Sequence, residues 1–117
     1  MTTLKELHTI EGLNNVWESS QQKLVLLFKQ STTCPVSAKA FSEYNAFLES
    51  TSVDLDSYFV KVKETREVSN KIAEETHVQH QSPQVLLMRD GEVLWHKSHA
   101  NITVDSLKEV VEQYGNN

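Results

Sequence analysis

The sequence predicts one α/β domain, a central mixed sheet flanked by helices with its elements in the order βαβαβαββα. Three observations predict it. Residues 23–29 form an apolar run with the length and the Val, Leu and Phe content of a strand buried on both faces. Amphipathic segments at helical spacing alternate with extended ones, the arrangement that builds a parallel sheet with crossover helices. Asp90-Gly91 then joins two extended segments, which is a strong hairpin signal. A chain of 117 residues, 38% hydrophobic and 23% charged, can bury an adequate core without disulfides or a structural metal.

Taken in order, residues 4–7 read as a short edge strand. Ile10, Leu13, Val16 and Trp17 step at helical intervals and predict a helix over Ile10–Ser20, somewhat weakened by Gly12. The central strand and a polar loop follow. Pro35 cannot continue a strand, but its fixed φ and missing N–H suit the first turn of a helix. Val36, Ala40, Phe41, Tyr44, Phe47 and Leu48 carry that helix to about Glu49. Residues 50–57 are polar and turn-prone, and predict a connection. Residues 58–63 are β-branched and aromatic, and predict an interior strand in which Phe59 breaks strict alternation.

Thr65 is the expected cap of a helix that carries Val68, Ile72 and Ala73 to about Thr76. Its charged face, Arg66, Glu67, Lys71, Glu74 and Glu75, is expected to be solvated. Residues 77–83 form a loop, and residues 84–88 and 92–97 the hairpin strands. Thr103 is the expected cap of the last helix, with Ile102 and Leu107 spaced as a hydrophobic staple. Gly115 is expected to stop that helix and the two final asparagines to fray. Trp17 and Trp95 are expected to serve packing.

A net charge of −5 argues against nucleic acid or an anionic membrane as the main partner. The first residues hold no apolar signal core. No apolar run approaches the ~20 residues that span a bilayer. The single cysteine cannot form an internal disulfide, which suits a reducing compartment. The expectation is a cytoplasmic monomer.

That cysteine, Cys34, falls where the central strand has ended and the next helix begins. Ligands of such sheets sit beyond the carboxyl ends of the parallel strands. A helix start supplies free backbone N–H groups and the positive end of the dipole, both of which favour a thiolate. A lone cysteine is more commonly a small buried hydrophobe. A core cysteine, however, belongs on an apolar stripe, not in Thr32-Thr33-Cys34-Pro35, so the reactive reading prevails. Ser37, one turn on, is placed to donate a hydrogen bond to the thiolate, or is simply a first-turn residue; the two readings stand level. Thr32 and Thr33 offer amides or hydroxyls to a ligand, or are plain loop polarity. His80 is a proton carrier near neutral pH or a solvated loop histidine. Lys29 and Lys39 lie near Cys34 in sequence, although lysines on strand ends and helix faces usually solubilise. His8, His77, His96 and His99 have no ligand spacing with Cys34, so no metal site is expected.

With Cys34-Pro35-Val36-Ser37 opening the second helix and Pro83 just before the hairpin, the succession of elements resembles the thioredoxin fold. Thr33-Cys34-Pro35-Val36-Ser37-Ala38, with His80-Gln81-Ser82-Pro83-Gln84-Val85 downstream, resembles the monothiol bacilliredoxins, the branch linked to bacillithiol, a cysteinyl-glucosamine-malate thiol. The likeness covers nearly the whole chain. It implies a thiol-disulfide oxidoreductase that removes bacillithiol from protein mixed disulfides. Cys34 would attack, with Ser37 beside it. Pro83, in a cis Ser82-Pro83 bond, would face Cys34 across the cleft. Thr32, Thr33, Pro35, His80 and Ser82 would border the substrate, and Lys29 and Lys39 would attract the malate carboxylates.

Three positions depart from ordinary thioredoxins. Thr33 stands where those place a tryptophan, Phe28 where they bury an acid, and Ser37 where they have the second cysteine. Dithiol chemistry is thus excluded, and an external thiol, bacillithiol or a reductase, must resolve the Cys34 adduct. No bound cofactor is implied; bacillithiol enters as co-substrate, and the partners are bacillithiolated client proteins and the external reductant. Two alternatives remain at this point: a monothiol glutaredoxin-like iron–sulfur carrier, in which Pro35 would usually be glycine, and a thioredoxin-fold adaptor without chemistry.

Overall fold

In a computed structural model of the chain, which describes residues 4–115, the central apolar run becomes the middle strand of a five-stranded sheet. The elements are β1 (Leu4–Glu6), α1 (Ile10–Ser20), β2 (Leu24–Gln30), α2 (Pro35–Ser50), β3 (Leu55–Lys61), α3 (Arg66–Thr76), β4 (Gln84–Arg89), β5 (Glu92–Ser98) and α4 (Val104–Gly115), with a 3-10 turn at His99–Asn101. The strands lie in the order β1-β3-β2-β4-β5. β2 runs parallel to β3, with Leu27 opposite Tyr58, and antiparallel to β4, with Leu27 opposite Leu86.

Alternation along β2 divides the interior into two cores. Leu24, Leu26 and Phe28 face α2 and α4, packing with Tyr44, Phe47, Leu107 and Val111. Val25 and Leu27 face α1 and α3, packing with Leu13, Val16, Val68 and Ile72. Both faces of β2 are therefore sealed, which is why its sequence reads as a continuous apolar run and not as an alternating one. Phe28, at the position of the thioredoxin acid, is fully buried against the rings of Phe41 and Tyr44, at 5.1 and 5.0 Å between centroids. Among the described residues no helix is long and apolar enough to cross a membrane.

Several local expectations are met in detail. Asp90 and Gly91 take φ of 54° and 74°, the left-handed pair that a two-residue hairpin turn requires. The turn is anchored to the end of α1, where the Asp90 N–H donates to the Ser20 carbonyl and the Gly91 N–H to the Ser20 hydroxyl, at 2.6 and 3.0 Å. At the start of α4 the Ser106 N–H donates to Thr103 Oγ1 at 3.0 Å. The Thr103 N–H returns the bond to Ser106 Oγ at 3.1 Å. This is a reciprocal capping box with serine in the third position, and Ile102 and Leu107 are both buried beside it.

Other expectations are corrected. β3 begins at Leu55, not Tyr58, because the polar residues around Leu55 hid a strand start. Leu55 and Phe59 face the α2/α4 core while Tyr58 and Val60 face the other, so Phe59 keeps the alternation. Asp56, read as part of a turn, accepts a hydrogen bond from the Ser19 hydroxyl. Thr65 occupies the cap position of α3 without a side-chain cap bond. Val36 is not part of the core; it is 44% exposed. Gly115 is the last described residue of α4, and beyond its expected role at the helix end a Cβ there would stand 2.9 Å from Val53 Cγ1, so the glycine also allows a close approach. Asn116 and Asn117, expected to fray, lie outside the described residues.

Candidate functional site

The loop leaving β2 delivers Cys34 to the N-cap of α2, with φ −107° and ψ 122°. The loop is folded back by two bonds: the Cys34 N–H donates to the Ser31 carbonyl at 3.3 Å, and the Ser31 N–H to Ser37 Oγ at 2.8 Å. The first intrahelical bond runs from Ala38 N–H to the Cys34 carbonyl at 3.0 Å. Because Pro35 has no donor, the amides of Val36 and Ser37 are the orphan N–H groups at this end of α2. Cys34 itself is a free, half-buried thiol whose sulfur makes no capping bond.

Cys34 opens onto a cleft of about 440 Å³ between the starts of α2 and α3. Of the residues singled out in the sequence, Thr33, Cys34, His80 and Ser82 line it together. Pro35 lines a separate apolar groove on the other side, with Val36, Ala40 and Ile102. Thr32 is outside the cleft wall, its hydroxyl donating to Glu64 at 3.0 Å. The Thr33 hydroxyl accepts from Lys63 Nζ at 3.0 Å. The two threonines thus tie the Cys34 loop to the turn before α3. The Ser82-Pro83 bond is cis, and Pro83, expected to face Cys34 across the cleft, is buried and is not among the residues lining it; its carbonyl accepts from the His99 N–H at 3.0 Å.

Two residues differ from their expected settings. Ser37 is completely buried, and its hydroxyl is the acceptor that closes the loop at Ser31; among the described residues it makes no bond to Cys34. A side chain in the first turn of α2 that points beneath the loop braces the cysteine from below. Lys29 was expected to be a solubilising strand-end lysine or an anion attractor at the surface, yet it is fully buried. On the face of β2 turned toward α3, its Nζ lies 3.1 Å from His80 Nδ1. Burial lowers the Lys29 pKa to about 8. An ammonium only donates, so Nδ1 of His80 accepts and the neutral ring carries its proton on Nε2. Burial, then Lys29, then Arg66 hold the His80 pKa below its usual value. Lys39, by contrast, is exposed, beside Glu43 at 3.4 Å.

The sequence reading missed the far wall of the cleft: Lys63, Arg66, Ser69 and Asn70. Arg66 had been placed on the solvated face of α3. Arg66, Ser69 and Asn70 fall at i, i+3 and i+4 and so share one face at the start of a helix. That spacing was visible in the sequence, but nothing in it tied the start of α3 to the loop before α2.

Comparison with known proteins shows matching architecture. The family model described as "Monothiol bacilliredoxin BrxC" matches residues 5–107. A solved structure described as a candidate oxidoreductase with a thioredoxin fold is 36% identical, with TM-score 0.81, and 91% of each chain is covered. Thioredoxin NaTrxh from Nicotiana alata is 21% identical with TM-score 0.77, covering 97% of this chain and 94% of that one. Fasciola hepatica thioredoxin is 14% identical with TM-score 0.75, covering 94% and 98%. The last two likenesses establish the fold alone.

Proposed function

The chain belongs to the monothiol bacilliredoxin family, of thioredoxin fold and redox chemistry, and from that premise we propose that it removes bacillithiol from protein mixed disulfides through Cys34. The observation that carries this reading is a reachable free thiol at a helix tip, bordering a cleft, in a chain with no other cysteine.

The chemistry follows from that arrangement. The Cys34 thiolate attacks the bacillithiol-side sulfur of a client's mixed disulfide. A sulfur–sulfur bond forms between Cys34 and bacillithiol as the old one breaks, and the client leaves as a thiolate that takes up a proton. Ser37 stands where a resolving thiol would be, so the adduct waits for an external thiolate. When that thiolate is free bacillithiol, it attacks the adduct, Cys34 leaves as a thiolate and bacillithiol disulfide departs. One client thiol is regenerated for each bacillithiol oxidised into the disulfide, so the electrons balance without a bound cofactor. The orphan amides of Val36 and Ser37 and the positive end of α2 favour the anionic sulfur in each half of the exchange. The client polypeptide approaches from the groove beside Pro35, where Val36 is exposed.

Intact-mass measurement tests the proposal. Reduced protein mixed with a bacillithiolated client should gain one bacillithiol while the client loses it, and Cys34→Ala should leave the client modified. Free bacillithiol should then return the protein to its original mass. A client that keeps its adduct in the presence of the parent protein would refute the assignment.

A further inference from the structure

We propose that the cleft beside Cys34 is a carboxylate-binding subsite, in which Lys63 and Arg66 at the start of α3 and the hydroxyl of Ser69 hold the acidic end of a small thiol while its sulfur meets Cys34. The inference rests on the reading of the chain as a bacillithiol exchanger, and narrows it by assigning the part of the molecule that recognises the thiol's two carboxylates.

Charge supports the assignment. The chain carries a net −5, yet the wall of this cleft gathers Lys63 and Arg66, with Lys29 buried behind His80. Among the described residues neither Lys63 nor Arg66 has a carboxylate within ion-pairing distance, whereas Lys23, Lys39, Lys61 and Lys71 all do. The nearby acid, Glu64, accepts from the Thr32 hydroxyl instead. Two helix N-termini border the same space, that of α2 at Cys34 and that of α3 at Arg66. Since Thr65 provides no side-chain cap, the first-turn amides of α3 add to the positive potential.

Unsatisfied polar atoms support it independently. Ser69 lies on the cleft wall, 1% exposed, and its hydroxyl has no hydrogen-bond partner. The Ser82 hydroxyl, lining the same cleft, is also buried and unpartnered. Native proteins seldom leave such groups unpaired, because each costs the desolvation of a polar atom without return. Two of them beside cations that no carboxylate neutralises, Lys63 meeting only the Thr33 hydroxyl, describe a site waiting for an oxygen-rich anion. The ammonium of Lys63 and the guanidinium of Arg66 suit carboxylates, and Arg66 can grip one with two parallel bonds. His80, neutral and carrying its proton on Nε2, contributes a further donor on the opposite wall. A cleft of about 440 Å³ accommodates a small-molecule thiol and not a folded client.

The test compares exchange rates of Cys34 with three disulfides: bacillithiol disulfide, dithiodipropionate and the uncharged bis(hydroxyethyl) disulfide. In the parent, both acidic probes should react faster than the uncharged one. In Arg66→Ala the ratio of acidic to uncharged rate constants should fall about tenfold, the size of one charge-assisted hydrogen bond. Lys63→Ala should lower it by a smaller factor, and Arg66→Lys should restore part of the loss. Lys71→Ala, on the same helix but paired with Glu74, should keep the parental ratio. An unchanged ratio in Arg66→Ala, whether both rates fall together or neither does, overturns the subsite. A parent that discriminates dithiodipropionate through Arg66 but never exchanges with bacillithiol disulfide keeps the subsite and overturns the bacillithiol reading.

Discussion

Replacing Lys29 with methionine should stabilise the protein at neutral pH and cease to do so in alkali. The Lys29 ammonium is completely buried, and its pKa falls from 10.5 to about 8. At 1.36 kcal/mol per unit, keeping the proton below pH 8 costs roughly 2–3 kcal/mol, allowing for relaxation around the site. The folded pKa lies below the unfolded one. The unfolded chain therefore binds more protons between about pH 8 and 10.5, and the parent gains stability as pH rises through that window. Methionine has a similar shape and no charge to desolvate. Lys29→Met should therefore unfold at a higher urea concentration at pH 7, by about 2–3 kcal/mol or roughly 8–12 °C in Tm. The difference should shrink toward zero by about pH 10.5. Urea titrations followed by Trp17 and Trp95 fluorescence at the two pH values give both numbers. A difference that does not change with pH, or a destabilised variant at pH 7, would refute the view that the buried charge is what costs. The same variant releases His80 from its Nδ1 partner, so a gain in stability should come with slower exchange, a trade common where a strained group serves function.

Substitutions at two further positions test the bracing of the site and the capping of α4. Ser37→Ala removes the acceptor for the Ser31 N–H and should cost about 1–2 kcal/mol in urea unfolding, because a partly buried donor loses its partner. Ser37→Cys should let the Cys34 adduct resolve within the chain, giving an internal disulfide by mass spectrometry; an adduct that persists would show that the two side chains cannot meet. Thr103→Ala breaks the capping box and should lower stability by about 1 kcal/mol, with a smaller loss for Thr103→Ser; no change in Tm would mean that the staple of Ile102 and Leu107 suffices.

Most of the architecture was legible because each element signals itself locally. β2 is an unbroken apolar run, the hairpin turn is Asp-Gly, and Thr103 precedes a hydrophobic stripe. The start of β3 was hidden because Asp54, Asp56 and Ser57 resemble a turn, and only pairing with β2 draws Leu55 into the sheet. The cysteine side of the site was equally readable, since it is continuous in sequence. The far wall was not. Arg66, Ser69 and Asn70 look like ordinary helix surface until the crossover after β3 sets the start of α3 against the Cys34 loop. Lys29 is the sharpest example: a lysine ending a strand is usually solvated, and its burial follows from long-range packing over that strand end.

Tyr44 has a mechanical consequence. Its fully buried hydroxyl lies 3.2 Å from the Leu26 carbonyl and 3.0 Å from that of Tyr58, so one proton serves adjacent strands from the middle of α2. A rod pinned at its waist to two rails can neither slide nor roll. The sulfur at its tip is consequently a fixed post, and the adaptation needed to bring three sulfurs into line falls to the incoming molecules.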